Sequence, residues 1–388
     1  MSRIHTIRFI DPSNLTRYKD SLYLYERTVL SLTKYLEYLR HNNVDLAVKI
    51  SFTGGTEESP TAPSGSLIKV NEDILSVLDP EKISAESYLP GELLCLLLNE
   101  KSSKLDLDCK NTVYTIEFPL SVRLDRAGFK DQNIFQQMRT LLGAIRTEIR
   151  YRSLIKKAAG IQFNGKAAQK SYGRLNQNQI TFYDHRVTTI DPDIKKSSSK
   201  DKIFKIAFSG KFSKIKGAHL LPEISRALYQ EDKSIQLHVM GEGEYAQDIL
   251  KKSEKNVIMH GFMPYKEGWE PFVSKNIDVM ILPHMQGDPS MTYFEAMGMG
   301  APVIGYDNET LKHLVDQNLA LSLPPGDITG LVQQVIYLKN HPHELQELRS
   351  RCLNFMQDHL YQKVIDRRME HLVGTVHNKN KERSSPPA

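Results

Sequence analysis

From Lys205 onward, short β-branched or apolar runs alternate with amphipathic segments of helical length: KIAFSG, SIQLHVMG, NVIMHG, IDVMILP and APVIGY are each followed by a helical stretch. Strand and helix in strict alternation predict right-handed βαβ units, a parallel sheet with helices on both faces, and ligands at the carboxyl ends of the strands. The first half is also α/β in pattern but less regular. It predicts strands at residues 5–10, 45–52, 112–118 and 160–164, and helices over 18–40 and 134–159. Residues 53–66 (TGGTEESPTAPSGS) read as a loop, whose Gly54-Gly55 pair is either a flexible turn or a phosphate cradle.

Two compositional breaks set the organisation. Residues 191–202 (DPDIKKSSSKDK) carry almost no apolar side chain and read as a linker, and the last ten residues (KNKERSSPPA) as a disordered tail. The expected plan is an N-terminal domain over 1–188, a linker over 189–202 and a second domain over 203–356. A C-terminal helix over 357–375, packed back on the first domain, and a disordered tail over 376–388 complete it. A chain of 388 residues allows each domain a full core. At 40% hydrophobic and 25% charged residues it is neither disordered nor an integral membrane protein, and its longest apolar run, around Leu93 to Leu98, is far short of the ~20 residues of a membrane span. Three scattered cysteines and a first segment without the apolar core of a secretory signal point to a reduced, cytoplasmic setting.

Chemistry gathers at the predicted strand ends of the second half. The first strand runs through Gly210 into Lys211, and Lys216-Gly217 opens the next helix. Two ammonium groups near one strand end suit a diphosphate, or they are solvated surface lysines. The next strand ends in Gly241-Glu242-Gly243, where glycines either let a ligand approach the backbone or make a tight turn. The fourth ends in Pro283-His284, and Ser290 is placed to cap a helix whose amides at Met291 and Thr292 would favour an anion. Glu295, a turn further in, is either a partner for sugar hydroxyls or a buried structural carboxylate.

Together, KIAFSGKFSKIKG, HVMGEGE, VIMHGFMPYKE and DPSMTYFEAMGMGAPVIGYDN resemble the nucleotide-sugar-binding domain of GT-B glycosyltransferases of the family 4 type, glycosyl transferases group 1. The likeness spans about residues 205–338. It implies a GT-B architecture: two Rossmann-like doubly wound domains facing a central cleft. By it, Lys211 and Lys216 bind the donor diphosphate, Phe262 and Met263 abut the base, and Glu295 binds the ribose. In the family's E-x7-E motif the first Glu helps hold the transferred sugar; this chain has Gly287 there and Asp288 one residue later. Asp288 either replaces it or caps the helix. The N-terminal domain departs further, with Ile10-Asp11-Pro12-Ser13 where a Gly-Gly loop is usual. Glu117, ending the YTIEF strand, is a candidate base toward an acceptor hydroxyl or a salt-bridged structural group. In Tyr183-Asp184-His185-Arg186, either His185 faces the cleft or the cluster is structural, tying the domain's last strand to its neighbours.

Charge changes this picture at one place. The net +5 conceals 13 Lys+Arg against 17 Asp+Glu in residues 1–122, 13 against 4 in 123–190, and 25 against 25 in 191–388. Within the excess, Arg139, Arg146, Arg150 and Lys157 stack at intervals of seven, four and seven beside Leu141, Leu142, Ile145 and Ile149. This is a basic amphipathic helix, either a contact for an anionic membrane or acceptor, or a core-facing helix with a solvated basic face. No aromatic residues interleave with the cations, which argues against nucleic acid.

The resemblance implies a hexosyltransferase that uses a nucleotide diphosphate sugar, needs no metal or other cofactor, and acts on a glycan or lipid-linked glycan in cell-surface polysaccharide assembly. Its expected setting is cytoplasmic or peripheral at the inner face of the membrane. Retention of configuration is the family expectation. A non-catalytic nucleotide-sugar-binding subunit and a GT-B epimerase or hydrolase are the alternatives.

Overall fold

A computed structural model describes residues 3–12, 15–54, 56–60, 67–82, 90–191, 203–287 and 289–384. The chain forms two compact units, one of Met1–Phe182 with Gln362–Ala388 and one of Tyr183–Tyr361. Residues 183–188, expected in the first domain, therefore pack with the second; most of the expected linker lies outside the described residues.

The first unit is built on a parallel seven-stranded sheet, in the order Gln179–Phe182, Gly160–Asn164, Thr112–Ile116, Glu92–Leu97, Thr6–Asp11, Ala47–Phe52, Leu78–Lys82. Glu92–Leu97 (ELLCLL) is the longest apolar run of the sequence because this strand is covered on both faces. Its one charged residue, Glu92, meets the buried Arg8 on the adjacent strand through two hydrogen bonds of 2.7 and 3.0 Å, and Arg8 also reaches Asp79 at 2.8 Å and Ser51 at 2.7 Å.

Residues 18–40 are not one helix. Leu15–Tyr18 and Ser21–Tyr25 pair antiparallel about Lys19-Asp20, with Thr56–Glu58 and Leu67–Lys69 added at the sides, and the helix begins only at Glu26 and runs to His41. Alternating Leu and Tyr in SLYLY satisfy a strand, and Lys19 takes φ 51° at the turn. Thr56–Glu58 also places a strand inside the expected loop. Tyr361–Ser384 is one helix, so residues 376–384 are ordered rather than a disordered tail. From Gln362 on it belongs to the first unit: Arg368 hydrogen-bonds Gln162 at 2.9 Å, Asn178 reaches Thr375 at 2.9 Å, and Asn380 bonds both backbone groups of Ile4.

The helix Ile134–Lys157 opens with a reciprocal cap between Asn133 and Gln136. It buries Glu148, Tyr151 and Ile155, with Glu148 bonded to Arg123, Arg152 and Tyr172. Its main apolar stripe is exposed. The reading that the apolar side is used up in packing is therefore overturned for Leu141, Leu142, Ile145 and Ile149, whereas Tyr151 and Ile155 are buried in the core with Leu154 and Ala158 packed against it.

The second unit has a six-stranded parallel sheet. In chain order its strands are Phe204–Ser209, Ile235–Met240, Val257–Gly261, Val279–Leu282, Val303–Tyr306 and Ala320–Leu323, arranged 3-2-1-4-5-6. Five coincide with the apolar runs read from the sequence; the sixth, ALSL, is too short and mixed to stand out. Strand order reverses between Phe204–Ser209 and Val279–Leu282, so the ligand crevice of such a sheet lies beyond Ser209 and Leu282.

Candidate active site

The loops beyond Ser209 and Leu282 are pinned to each other. Lys214–Lys216 forms a tight turn, Met285 N–H donates to the Ile215 carbonyl at 3.0 Å, and Gly217 lies against the Pro283 carbonyl so closely that a Cβ would fall 2.0 Å from it. Lys211 is exposed and Lys216 half-buried at this edge. The helix Met291–Gly298 starts from the same loop, so its first amides lie at the strand-4 end. Ser290 holds the N-cap position, but its side chain makes no capping hydrogen bond, contrary to the expectation. Asp288 lies outside the described residues.

The glycines separate into two jobs. Gly241 and Gly243 have φ of 133° and 146°, and a Cβ on Gly241 would meet the Gly210 carbonyl oxygen at 2.0 Å, one on Gly243 the Phe212 backbone at 2.7 to 3.0 Å. They accommodate the neighbouring loop: Phe212 N–H donates to Glu242 at 2.7 Å and Gly210 N–H to Met240 at 3.0 Å. Gly210, at φ 148°, has open space where its Cβ would point. Beyond the third strand, Phe262 is half-exposed with Met263 packed beneath on the core.

Glu295 is 3% exposed and ion-paired. Arg186 donates to it through Nε at 2.8 Å and Nη2 at 3.3 Å. The same guanidinium lies 4.0 Å over the Tyr265 ring, Tyr265 stacks on Trp269, and Trp269 Nε1 donates to Ser209 Oγ at 2.8 Å. A continuous seam thus joins Glu295 to the end of the first strand. Arg186 comes from the cluster that sequence reasoning tied to the first domain; it docks instead on the Glu295 helix. Tyr183 stacks on Phe294 at 4.6 Å, and Val187 lies so close to Gly298 that a Cβ there would come within 2.8 Å. Burial holds the His185 pKa down to about 4, and its two ring nitrogens bridge Val187 N–H and the His359 carbonyl.

Two site residues were not singled out by sequence. His284 and Gln286 are 1% and 2% exposed, and both imidazole nitrogens and both carboxamide atoms lack hydrogen-bond partners among the described residues. Burial first, and the nearby Lys216 charge second, hold His284 neutral, its pKa well below the usual range. Next to them, a Cβ on Gly287 would sit 3.0 Å from the backbone N and Cβ of Glu309, and the Gly287 carbonyl accepts from Thr310. The packing leaves little room for a glutamate at 287. In the first unit, Glu117 follows Thr112–Ile116 half-buried and accepts from Asn164 Nδ2 at 3.1 Å.

Paired lysines, a glycine turn with open space beside it and a buried, ion-paired carboxylate lie about the switch point of the second unit. Residues 203–341 match the family model described as Glycosyl transferases group 1. A search of curated proteins finds no match. Among solved structures, HepE from Anabaena in complex with UDP-glucose is 14% identical, with a TM-score of 0.58, over 95% of this chain and 99% of that one. Sucrose-phosphate synthase from Thermosynechococcus elongatus is 12% identical, TM-score 0.62, over 98% and 100%. A TarM variant from S. aureus, in complex with fondaparinux, alpha-GlcNAc-glycerol and UDP, is 14% identical, TM-score 0.54, over 72% of this chain; the chain spans 55% of TarM. The fold is GT-B, with two Rossmann-like units. Within the second unit, residues 203–341 are similar to glycosyl transferases group 1.

Proposed function

We propose that the chain transfers a hexosyl residue from a nucleoside diphosphate sugar to a hydroxyl of a glycan or lipid-linked glycan, with retention and without a catalytic metal, in cell-surface polysaccharide assembly on the cytoplasmic side of a membrane. The observation that carries the donor reading is the pair of buried, unpartnered polar side chains, His284 and Gln286, beside Lys216 at the switch point. Each unmade hydrogen bond of a buried group costs about 1–3 kcal/mol, so a polyhydroxylated ligand that completes them binds the more favourably. A neutral imidazole and a carboxamide both donate and accept, which suits sugar hydroxyls. They would take over the hold on the transferred sugar that the family gives to the glutamate missing at 287, with Asp288 as a further candidate.

In this reading, Lys211 and Lys216, with the amides of Met291 and Thr292, stabilise the departing diphosphate where charge develops. Gly210 lets the diphosphate approach, while Gly241 and Gly243 support that turn. Phe262 and Met263 take the base, Glu295 the ribose, and Glu117 acts on the acceptor hydroxyl. HepE and TarM, solved with UDP-glucose and UDP, make uridine diphosphate sugars the first donors to try.

The test is release of free nucleoside diphosphate from candidate donors, with and without a glycan or membrane extract. Acceptor-dependent release supports transfer. Release without acceptor indicates a hydrolase, donor conversion without release an epimerase, and binding alone a non-catalytic subunit. Combining Lys211→Ala with Glu295→Gln should lower turnover on the order of 100-fold or more; undiminished turnover refutes the site.

A further inference from the structure

The helix Ile134–Lys157 carries an apolar surface that nothing among the described residues covers. Phe135 is 82% exposed, Ile149 65% and Met138 59%, and Leu142 and Ile145 are also open to solvent. At 100° per residue, these side chains lie within one sector of the helix, away from the seam of Glu148, Tyr151 and Ile155 that attaches it. Scattered single exposed apolar residues need no explanation; a continuous ridge along ~21 Å of helix does.

The cations are placed in relation to that ridge. Arg139, Arg146 and Arg150 each follow an exposed apolar residue, Met138, Ile145 and Ile149, by one position. Their row therefore runs parallel to the ridge, about 100° round the helix, and Lys157 continues it. No ion pair or hydrogen bond engages these four side chains among the described residues. The helix's one acid, Glu148, is turned inward and satisfied by Arg123, Arg152 and Tyr172. The outer surface of the helix thus offers apolar side chains and positive charge with no acid of its own.

We propose that this helix seats the protein on an anionic phospholipid bilayer, with the ridge led by Phe135 entering the boundary between headgroups and acyl chains, and the arginine row binding lipid phosphates. An amphipathic helix lying in the plane of the membrane needs both components, an inserted apolar face and cations at headgroup level. A second copy of the chain fits less well, because pairing two such surfaces brings two unneutralised arginine rows together. Among the described residues no helix is long and apolar enough to cross a membrane, so contact would be at the surface. The proposal deepens the lipid-linked reading of the acceptor and rests on it only for its purpose.

The test is sedimentation of the full chain with phosphatidylcholine vesicles containing either no charged lipid or 30 mol% phosphatidylglycerol (about a third), at low and near-physiological salt. Expected is binding to the anionic vesicles that weakens with salt. Arg139→Gln with Arg146→Gln and Arg150→Gln should weaken it on the order of 100-fold, and Phe135→Ser with Ile149→Ser at least about tenfold, with an unchanged circular dichroism spectrum and denaturant midpoint as evidence of folding. No sedimentation at low salt, or equal sedimentation of both variants and the parent, overturns the proposal. So does self-association abolished by Phe135→Ser without vesicle binding, which would assign the ridge to a second copy. Vesicle binding is read without donor or acceptor, so its failure leaves the transfer reaction standing, and failure of transfer leaves vesicle binding standing.

Discussion

Replacing Gly241 by alanine and, separately, Gly210 by alanine separates a glycine that holds the fold from one that admits a ligand. Both positions lie at positive φ, 133° and 148°, where an L side chain costs about 1–3 kcal/mol. At 241 the new methyl would also fall 2.0 Å from the Gly210 carbonyl oxygen, so the strand-1 loop must retreat by more than an ångström, an overpacking cost of about 1–3 kcal/mol more. At 210 it meets open space. The expected losses are about 2–6 kcal/mol for Gly241→Ala and about 1–3 kcal/mol for Gly210→Ala, a difference near 2 kcal/mol. Trp269, the one tryptophan of the chain, is buried and bonded to Ser209, so its fluorescence follows the second unit alone. With a urea slope of about 2 kcal/mol per molar, the midpoints of the two variants should differ by about 1 M. The ranking should invert for ligand: relative to its small stability loss, Gly210→Ala should weaken nucleoside diphosphate binding more. Equal midpoints, or Gly210→Ala binding as tightly as the parent, would refute the division of roles.

Three further outcomes follow from buried ionisable groups. Arg186→Met leaves the Glu295 carboxylate buried without its guanidinium and should destabilise the second unit by about 3–5 kcal/mol in urea, most of it restored when Glu295→Leu is added. Glu92→Gln removes the main partner of buried Arg8 and should cost the first unit about 3 kcal/mol, read by circular dichroism on denaturant titration. His185 is neutral when folded, with a pKa near 4 against 6.5 unfolded, so between those values the unfolded state binds more protons and stability falls as pH falls. About 3 kcal/mol should be lost between pH 7 and pH 4, and a His185→Gln variant should show a flatter profile; an unchanged slope would remove His185 from that account.

What the amino-acid pattern revealed depended on how locally each feature is determined. Strands such as Ile235–Met240 are covered on both faces, so their apolar runs are unbroken and legible. Residues 18–25 of the hairpin read as helix because Leu and Tyr spacing over so few residues serves either periodicity; the positive φ at Lys19 that settles it leaves no signature in a lysine. Lys211, Lys216 and Glu295 stand out as site candidates through motif spacing. Arg186 does not, since its partner is 109 positions away and contact at that separation is a property of the tertiary fold. His284 and Gln286 were invisible for a different reason: a polar residue after a strand reads as loop until burial shows that it is enclosed and unsatisfied. The arginine row was legible, but whether the adjoining apolar stripe packed inward could not be read from periodicity, which gives a face and not its partner.

The contact between Gly287 and Glu309 makes the order of mutational steps matter. A glutamate at 287 would begin its side chain 3.0 Å from the backbone and Cβ of residue 309, within a helix whose start is fixed by Asn308. Restoring the family's acid is thus not one substitution away: the neighbouring helix must first give ground, and a chain that had already taken up His284 and Gln286 for its sugar would gain nothing from that first step. If His284 and Gln286 hold the sugar as proposed, a change of donor preference is more accessible through them than through a glutamate at 287, which needs the helix at Glu309 to shift first.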